Sequence, residues 1–150
     1  MRRQQTTTEE SRILLVDDDP GTIRVLAEIL KGTGKVHFTT RGTDALSLAR
    51  SVAQDLILLD LEMPDRHGFV VCEEIKSDPV LSDVPVLFVT AHTDFESEAR
   101  ALEAGALDFI HKPPHPQVVK ARVSNYLALK HQTDLLRTLS LIDGLTGIAN

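Results

Sequence analysis

The sequence predicts an α/β fold: a doubly wound, five-stranded parallel sheet with helices on both faces and an extended C-terminal helix. Three observations carry this. Short β-rich runs alternate with stretches of helical periodicity along the chain. The first, third and fourth runs are almost continuously apolar, as strands covered on both faces must be. Acidic residues gather at the ends of these runs, where an open sheet of this kind binds ligands. Repeated β/α units also imply right-handed crossovers, although strand order is not readable from periodicity.

The strand-like segments are RILLVD (12–17), KVHFTT (35–40), DLILLD (55–60), VPVLFVT (84–90) and LDFIHK (107–112). Between the first two, GTIRVLAEILKG places Ile23, Leu26, Ala27 and Leu30 on one helical stripe. TDALSLARSV does the same with Ala45, Leu46 and Ala49. A third helix follows Gly68, with Phe69, Cys72 and Ile75 spaced for one core face. A fourth, FESEARALEAG, stops at Gly105, as a helix C-terminus should. From about Gln117 the chain runs to Asp143 without glycine or proline, longer than a helix capping the sheet requires. Leu129, Gln132, Leu136 and Leu139 are spaced by three and four. That is the rhythm of a dimerising coiled coil with one polar seat, and equally of an amphipathic helix laid on another domain.

Composition narrows the function classes. The chain has 150 residues, 42% hydrophobic and 25% charged, an ordinary globular balance. Its net charge of -6 argues against a phosphate-gripping nucleic-acid surface. No apolar run approaches the roughly 20 residues of a membrane helix. The start, MRRQQTTTEESR, lacks the apolar stretch of a signal peptide, so residues 1–11 are expected to be a disordered leader. One cysteine, Cys72, excludes an internal disulfide and fits a reducing cytoplasm.

The strand ends carry the chemistry. Asp17, Asp18 and Asp19 follow the first strand, Asp60 the third, Thr90 the fourth and Lys112 the fifth. Crowded carboxylates repel one another and resist desolvation, so a cation is expected among them. Oxygen ligands with water suit Mg²⁺, or Mn²⁺ in its place. Asp60 stands where a strand yields to a Pro- and Gly-containing loop, and its carboxylate could attack phosphorus to form an acyl phosphate. Lys112 would neutralise the transferring group, and the Thr90 hydroxyl would bond the new phosphoryl oxygen. Asp19, followed by Pro20, reads as a helix N-cap. Asp65 reads as a solvated loop acid, and PPHP (113–116) as a rigid turn. His37, His111, His115 and His131 show no ligand spacing and read as surface or strand-edge residues.

With these residues in place, residues 12 to about 130 resemble the receiver domain of two-component response regulators. The likeness rests on VDDD (16–19), LLDLEMPDRHG (58–68), VTA (89–91) and DFIHKPP (108–114). The resemblance implies a flavodoxin-like sheet of order 2-1-3-4-5 and a receiver domain over 12–128. It implies Mg²⁺ held by Asp18, Asp60 and the backbone carbonyl of Glu62, with Asp17 acting largely through water. Asp60 would take phosphate from a histidine kinase, a phosphotransfer protein or a small donor. Lys112–Pro113 would be a cis peptide, which proline makes accessible. Phosphorylation would draw Thr90 inward, and Phe109 would fill the space vacated; lacking a hydroxyl, Phe109 can switch by packing alone. Glu62 and His92 occupy seats that tune phosphate lifetime in the family.

The last residues, LSLIDGLTGIAN (139–150), are similar to the opening of diguanylate cyclase (GGDEF) domains. The signature loop and the GTP-binding residues are absent, so this chain is not itself expected to be an enzyme. It reads as the regulatory piece of a longer cyclase: a helical linker over 129–142, the start of a cyclase domain over 143–150, and a homodimer formed on activation. A haloacid-dehalogenase-type phosphatase would need Thr or Val where Gly21 stands. A P-loop enzyme would need glycine at Ile29 and Ser or Thr at Val36. A receiver-like module working without phosphorylation is the alternative, and the presence of every acceptor residue counts against it.

Overall fold

The computed structural model describes residues 10–92 and 94–146. Five strands, β1 (Arg12–Val16), β2 (Lys35–Thr39), β3 (Leu56–Asp60), β4 (Val86–Thr90) and β5 (Asp108–His111), form one sheet. Five helices, α1 (Pro20–Ile29), α2 (Ala45–Ser51), α3 (Gly68–Ser77), α4 (Phe95–Glu103) and α5 (Pro116–Thr146), connect and follow them. The strand order is β2-β1-β3-β4-β5 and every pairing is parallel, with β1 and β3 side by side in the middle. This is the flavodoxin-like, doubly wound arrangement that the receiver resemblance implied.

Alternation along the central strands builds a core on each face, because successive side chains point to opposite sides. Leu14, Val16, Ile57, Leu59, Val86 and Phe88 meet Ala45 and Ala49 of α2, Phe69, Cys72 and Ile75 of α3, and Ala101 of α4. On the other face Ile13, Leu15, Leu56, Leu58, Leu87, Val89 and Ile110 meet Ile23, Leu26 and Ile29 of α1 and Val119, Val123 and Leu127 of α5. The continuous apolar runs of the sequence are therefore two interleaved half-cores.

Boundaries differ from the sequence reading by a residue or two at most strand ends. The second helix is preceded by a 3-10 turn at Gly42–Asp44, whose first residue is buried. Gly105 ends the fourth helical segment with φ 107°, in the left-handed region where glycine carries no side-chain penalty. The last helix continues through Gly144 to Thr146, past the expected end at Asp143. A single glycine costs a helix only about 1 kcal/mol and need not stop it.

The leader expected over 1–11 falls largely on residues outside those described. Ser11 is tied into the sheet, its carbonyl accepting the Lys35 N–H at 2.7 Å. Its hydroxyl lies 3.3 Å from Nε2 of His131, a surface residue of α5. Of the cyclase-like string at 143–150, residues 147–150 also lie outside the described part. Beyond Leu127, α5 leaves the core. Lys130 pairs with Asp134 and Arg137 with Asp83, while Leu129, Leu135, Leu136, Leu139 and Leu141 are exposed.

Candidate functional site

The parallel sheet brings four strand ends to one rim. Asp17, just past β1, is 2% exposed, and its Oδ1 accepts the Asp19 N–H at 2.9 Å. Asp60 ends β3 and is 6% exposed. Lys112 follows β5, held in line by its N–H donating to the Thr90 carbonyl at 2.9 Å. Its ammonium lies 3.0 Å from Asp17 Oδ2 and 3.2 Å from Asp60 Oδ1, bridging two strands. The Lys112–Pro113 peptide is cis. Thr90 is buried, and its Oγ1 accepts the His92 N–H at 3.0 Å. A cavity of about 210 Å³ opens over these groups, lined by Asp60, Glu62, Thr90, Ala91, His92 and Lys112.

The electrostatics follow from that burial. Desolvation and the neighbouring Asp17 charge push the Asp60 carboxyl up to about 6, against the pull of Lys112. Burial disfavours the Lys112 ammonium, but hydrogen bonds and charge from Asp17 and Asp60 outweigh it and hold its pKa above the ordinary value. Asp17, Asp18 and Asp60 each present an oxygen within 4.8 Å of the others. Three converging carboxylates with one exposed member are a hard, all-oxygen donor set, and they fit a divalent cation of the Mg²⁺ kind.

Asp19 stands apart from this set. It caps α1, accepting from the Gly21 N–H at 3.0 Å and the Thr22 hydroxyl at 3.0 Å, with Pro20 in the first turn. The Gly21 hydrogen bond lowers its pKa. Glu62 and His92 meet at the cavity mouth, His92 Nε2 lying 2.8 Å from Glu62 Oε2. Glu62 raises the imidazole pKa above its ordinary value, by hydrogen bond first and by charge second. Phe109 is already buried at 8% exposure, its ring centroid 6.3 Å from that of Phe88.

Asp65 is an exposed loop acid, as the sequence suggests, but it is also bonded: Oδ1 accepts the Gly42 N–H at 3.1 Å and Oδ2 the Thr43 N–H at 2.9 Å. Those backbone bonds, Thr43's foremost, lower its pKa. The partners lie more than twenty residues upstream, and no local pattern announces them. Further contacts escaped the sequence. His67 caps α3, its Nδ1 accepting the Phe69 N–H at 3.2 Å. Arg122 on α5 bonds both Asp108 and the Phe109 carbonyl, while the Tyr126 hydroxyl lies 3.1 Å from Asp108. His37, His111 and His115 do not join the rim cluster.

Known proteins are similar to this chain. A probable cyclic di-GMP phosphodiesterase of Vibrio cholerae is 34% identical over 124 residues, covering 83% of this chain and 28% of that protein. The DNA-binding response regulator MtrA of Mycobacterium tuberculosis is 41% identical over 120 residues, covering 77% and 50%. The chain thus spans half or less of the length of these curated relatives. The crystal structure of response regulator DrrB, a Thermotoga maritima OmpR/PhoB homolog, superposes with a TM-score of 0.73 at 31% identity, covering 81% of this chain and 54% of that one. Residues 13–124 match the response regulator receiver domain, and the chain belongs to that family.

Proposed function

We propose that this receiver domain is a working phosphoacceptor, with Asp60 as the acceptor and α5 as the route to an output domain. The observation that carries the reading is the Lys112 ammonium, set between Asp17 and Asp60 under an open cavity. In the reaction an Asp60 oxygen attacks the phosphorus of a phosphohistidine or a small acyl phosphate. The P–N or P–O bond to the donor breaks, and the imidazole or carboxylate leaves with the bonding pair. Lys112 offsets the charge arriving on the phosphoryl oxygens. Thr90 Oγ1 accepts from His92 N–H and keeps its own proton free to donate to a phosphoryl oxygen. Asp18, Asp60 and the Glu62 carbonyl would hold Mg²⁺, which would supply further positive charge at the transferring group.

The donors are a histidine kinase or a phosphotransfer protein. The signal leaves through β5 and α5, which Arg122 joins at the Phe109 carbonyl. Two features support a cyclase-controlling homodimer. The 139–150 string is similar to the opening of diguanylate cyclase domains. The exposed leucines Leu129, Leu136 and Leu139 lie on the side of α5 opposite the buried Val119, Val123 and Leu127, as a second copy of the helix requires. Fluorine NMR tests the site: beryllofluoride with Mg²⁺ should give a bound signal, absent in Asp60→Asn and after chelation. A bound signal unchanged in Asp60→Asn would overturn the assignment.

A further inference from the structure

The loop between β3 and α3 carries Glu62, and it is anchored on both sides of that residue. Leu61 and Met63 are buried, and the Gly68 N–H donates to the Leu61 carbonyl at 2.7 Å. Further along, both Asp65 oxygens are used, one on the Gly42 N–H at 3.1 Å and one on the Thr43 N–H at 2.9 Å. These are charge-assisted bonds to backbone donors, roughly twice as strong as neutral ones. The same two segments also touch by shape. A Cβ added at Gly42 would come within 3.1 Å of both the Arg66 carbonyl oxygen and Met63 Cε. A side chain there would press the 3-10 turn and the loop apart by a few tenths of an ångström.

We infer that Asp65 is a positioning residue: by clamping the acceptor loop onto the Gly42–Thr43 turn, it fixes the run of backbone that carries the Glu62 carbonyl, and so sets divalent-cation affinity at the rim. The inference rests on the phosphoacceptor reading. Asp65 does not itself touch the acceptor carboxylate. Its role is to stop the loop from trading its path at residue 62 for others, which would spread a ligand oxygen over many positions. An amide offers one acceptor oxygen in place of two, so Asp65→Asn retains half of the clamp.

The test is calorimetric titration of Mg²⁺ into the full chain, paired with hydrogen exchange of the metal-free protein over residues 61–68. Asp65→Ala should weaken Mg²⁺ about 10-fold, the range seen when groups that orient metal ligands are removed. Asp65→Asn should fall between Asp65→Ala and wild type. Gly42→Ala, which presses on the same contact from the other side, should weaken Mg²⁺ as well. Exchange over 61–68 should quicken in Asp65→Ala. Faster exchange with wild-type Mg²⁺ affinity would leave Asp65 a purely structural cap and overturn the inference alone. A wild type without any Mg²⁺ response would overturn the phosphoacceptor reading, and this inference with it.

Discussion

Asp60 is under two opposed influences: burial beside Asp17 favours its proton, and Lys112 favours its charge. Its folded-state pKa of about 6 lies above the ordinary 3.8, so between those values the folded protein keeps a proton that the unfolded chain has released. The stability linked to this group is complete below about pH 4 and is lost as pH rises through about 6. In the metal-free protein Asp60→Asn should therefore be more stable than wild type by about 2 kcal/mol near neutral pH, and scarcely so near pH 4. Urea melts at the two pH values check this; an equal difference at both would refute the shift. Cys72 is fully buried, and burial pushes its thiol up to about 11. It should stay unreactive toward a disulfide reagent at mildly alkaline pH until the protein unfolds, which a spectrophotometric thiol assay with and without denaturant reads directly.

Among the elements, α1 begins at a cap that local sequence displays well. Asp19, Pro20 and the apolar stripe of Ile23, Leu26 and Leu30 obey short-range rules of capping and periodicity. Removing the cap with Asp19→Ala should lower stability without abolishing Mg²⁺ binding, because the side chain serves Gly21 and Thr22. Chemical denaturation and a Mg²⁺ titration measure the two halves of that statement. The strands were equally plain, since Leu14, Ile57 and Phe88 must be apolar whichever face they meet. What stayed hidden was the tertiary pairing of polar groups. Asp65 finds its donors at Gly42 and Thr43, and Arg122 finds the Phe109 carbonyl, through folding of distant segments. A side chain in a loop carries no periodicity to reveal such a partner. His67 was missed for a different reason: histidine is an uncommon cap, outside the Ser, Thr, Asp and Asn set that flags one.

For the whole molecule, the sheet gathers the chemistry at one rim, and α5 carries a leucine stripe away from the core. Leu136 is 67% exposed, so Leu136→Glu paired with Leu139→Glu should leave folding intact. In sedimentation velocity the wild type should self-associate more tightly with beryllofluoride and Mg²⁺, and the double variant should not. Equal association of both would remove the stripe from the interface. The rim residues Asp17, Asp18, Asp60, Thr90 and Lys112 were readable because each sits at a strand end, where topology leaves little freedom. The proposed output domain rests on residues beyond the sheet, on the short string that begins at Leu139.

Acetyl phosphate with Mg²⁺, followed by intact and peptide mass spectrometry, puts the reactive carboxylate to trial without any partner protein. The expected product bears one added phosphoryl group on the peptide containing Asp60, and neither Asp60→Asn nor chelator-treated protein gains it. A phosphoryl group found on Asp17 or Asp18, or a full gain by Asp60→Asn, would mean that the lysine and the acids of this rim serve some other chemistry.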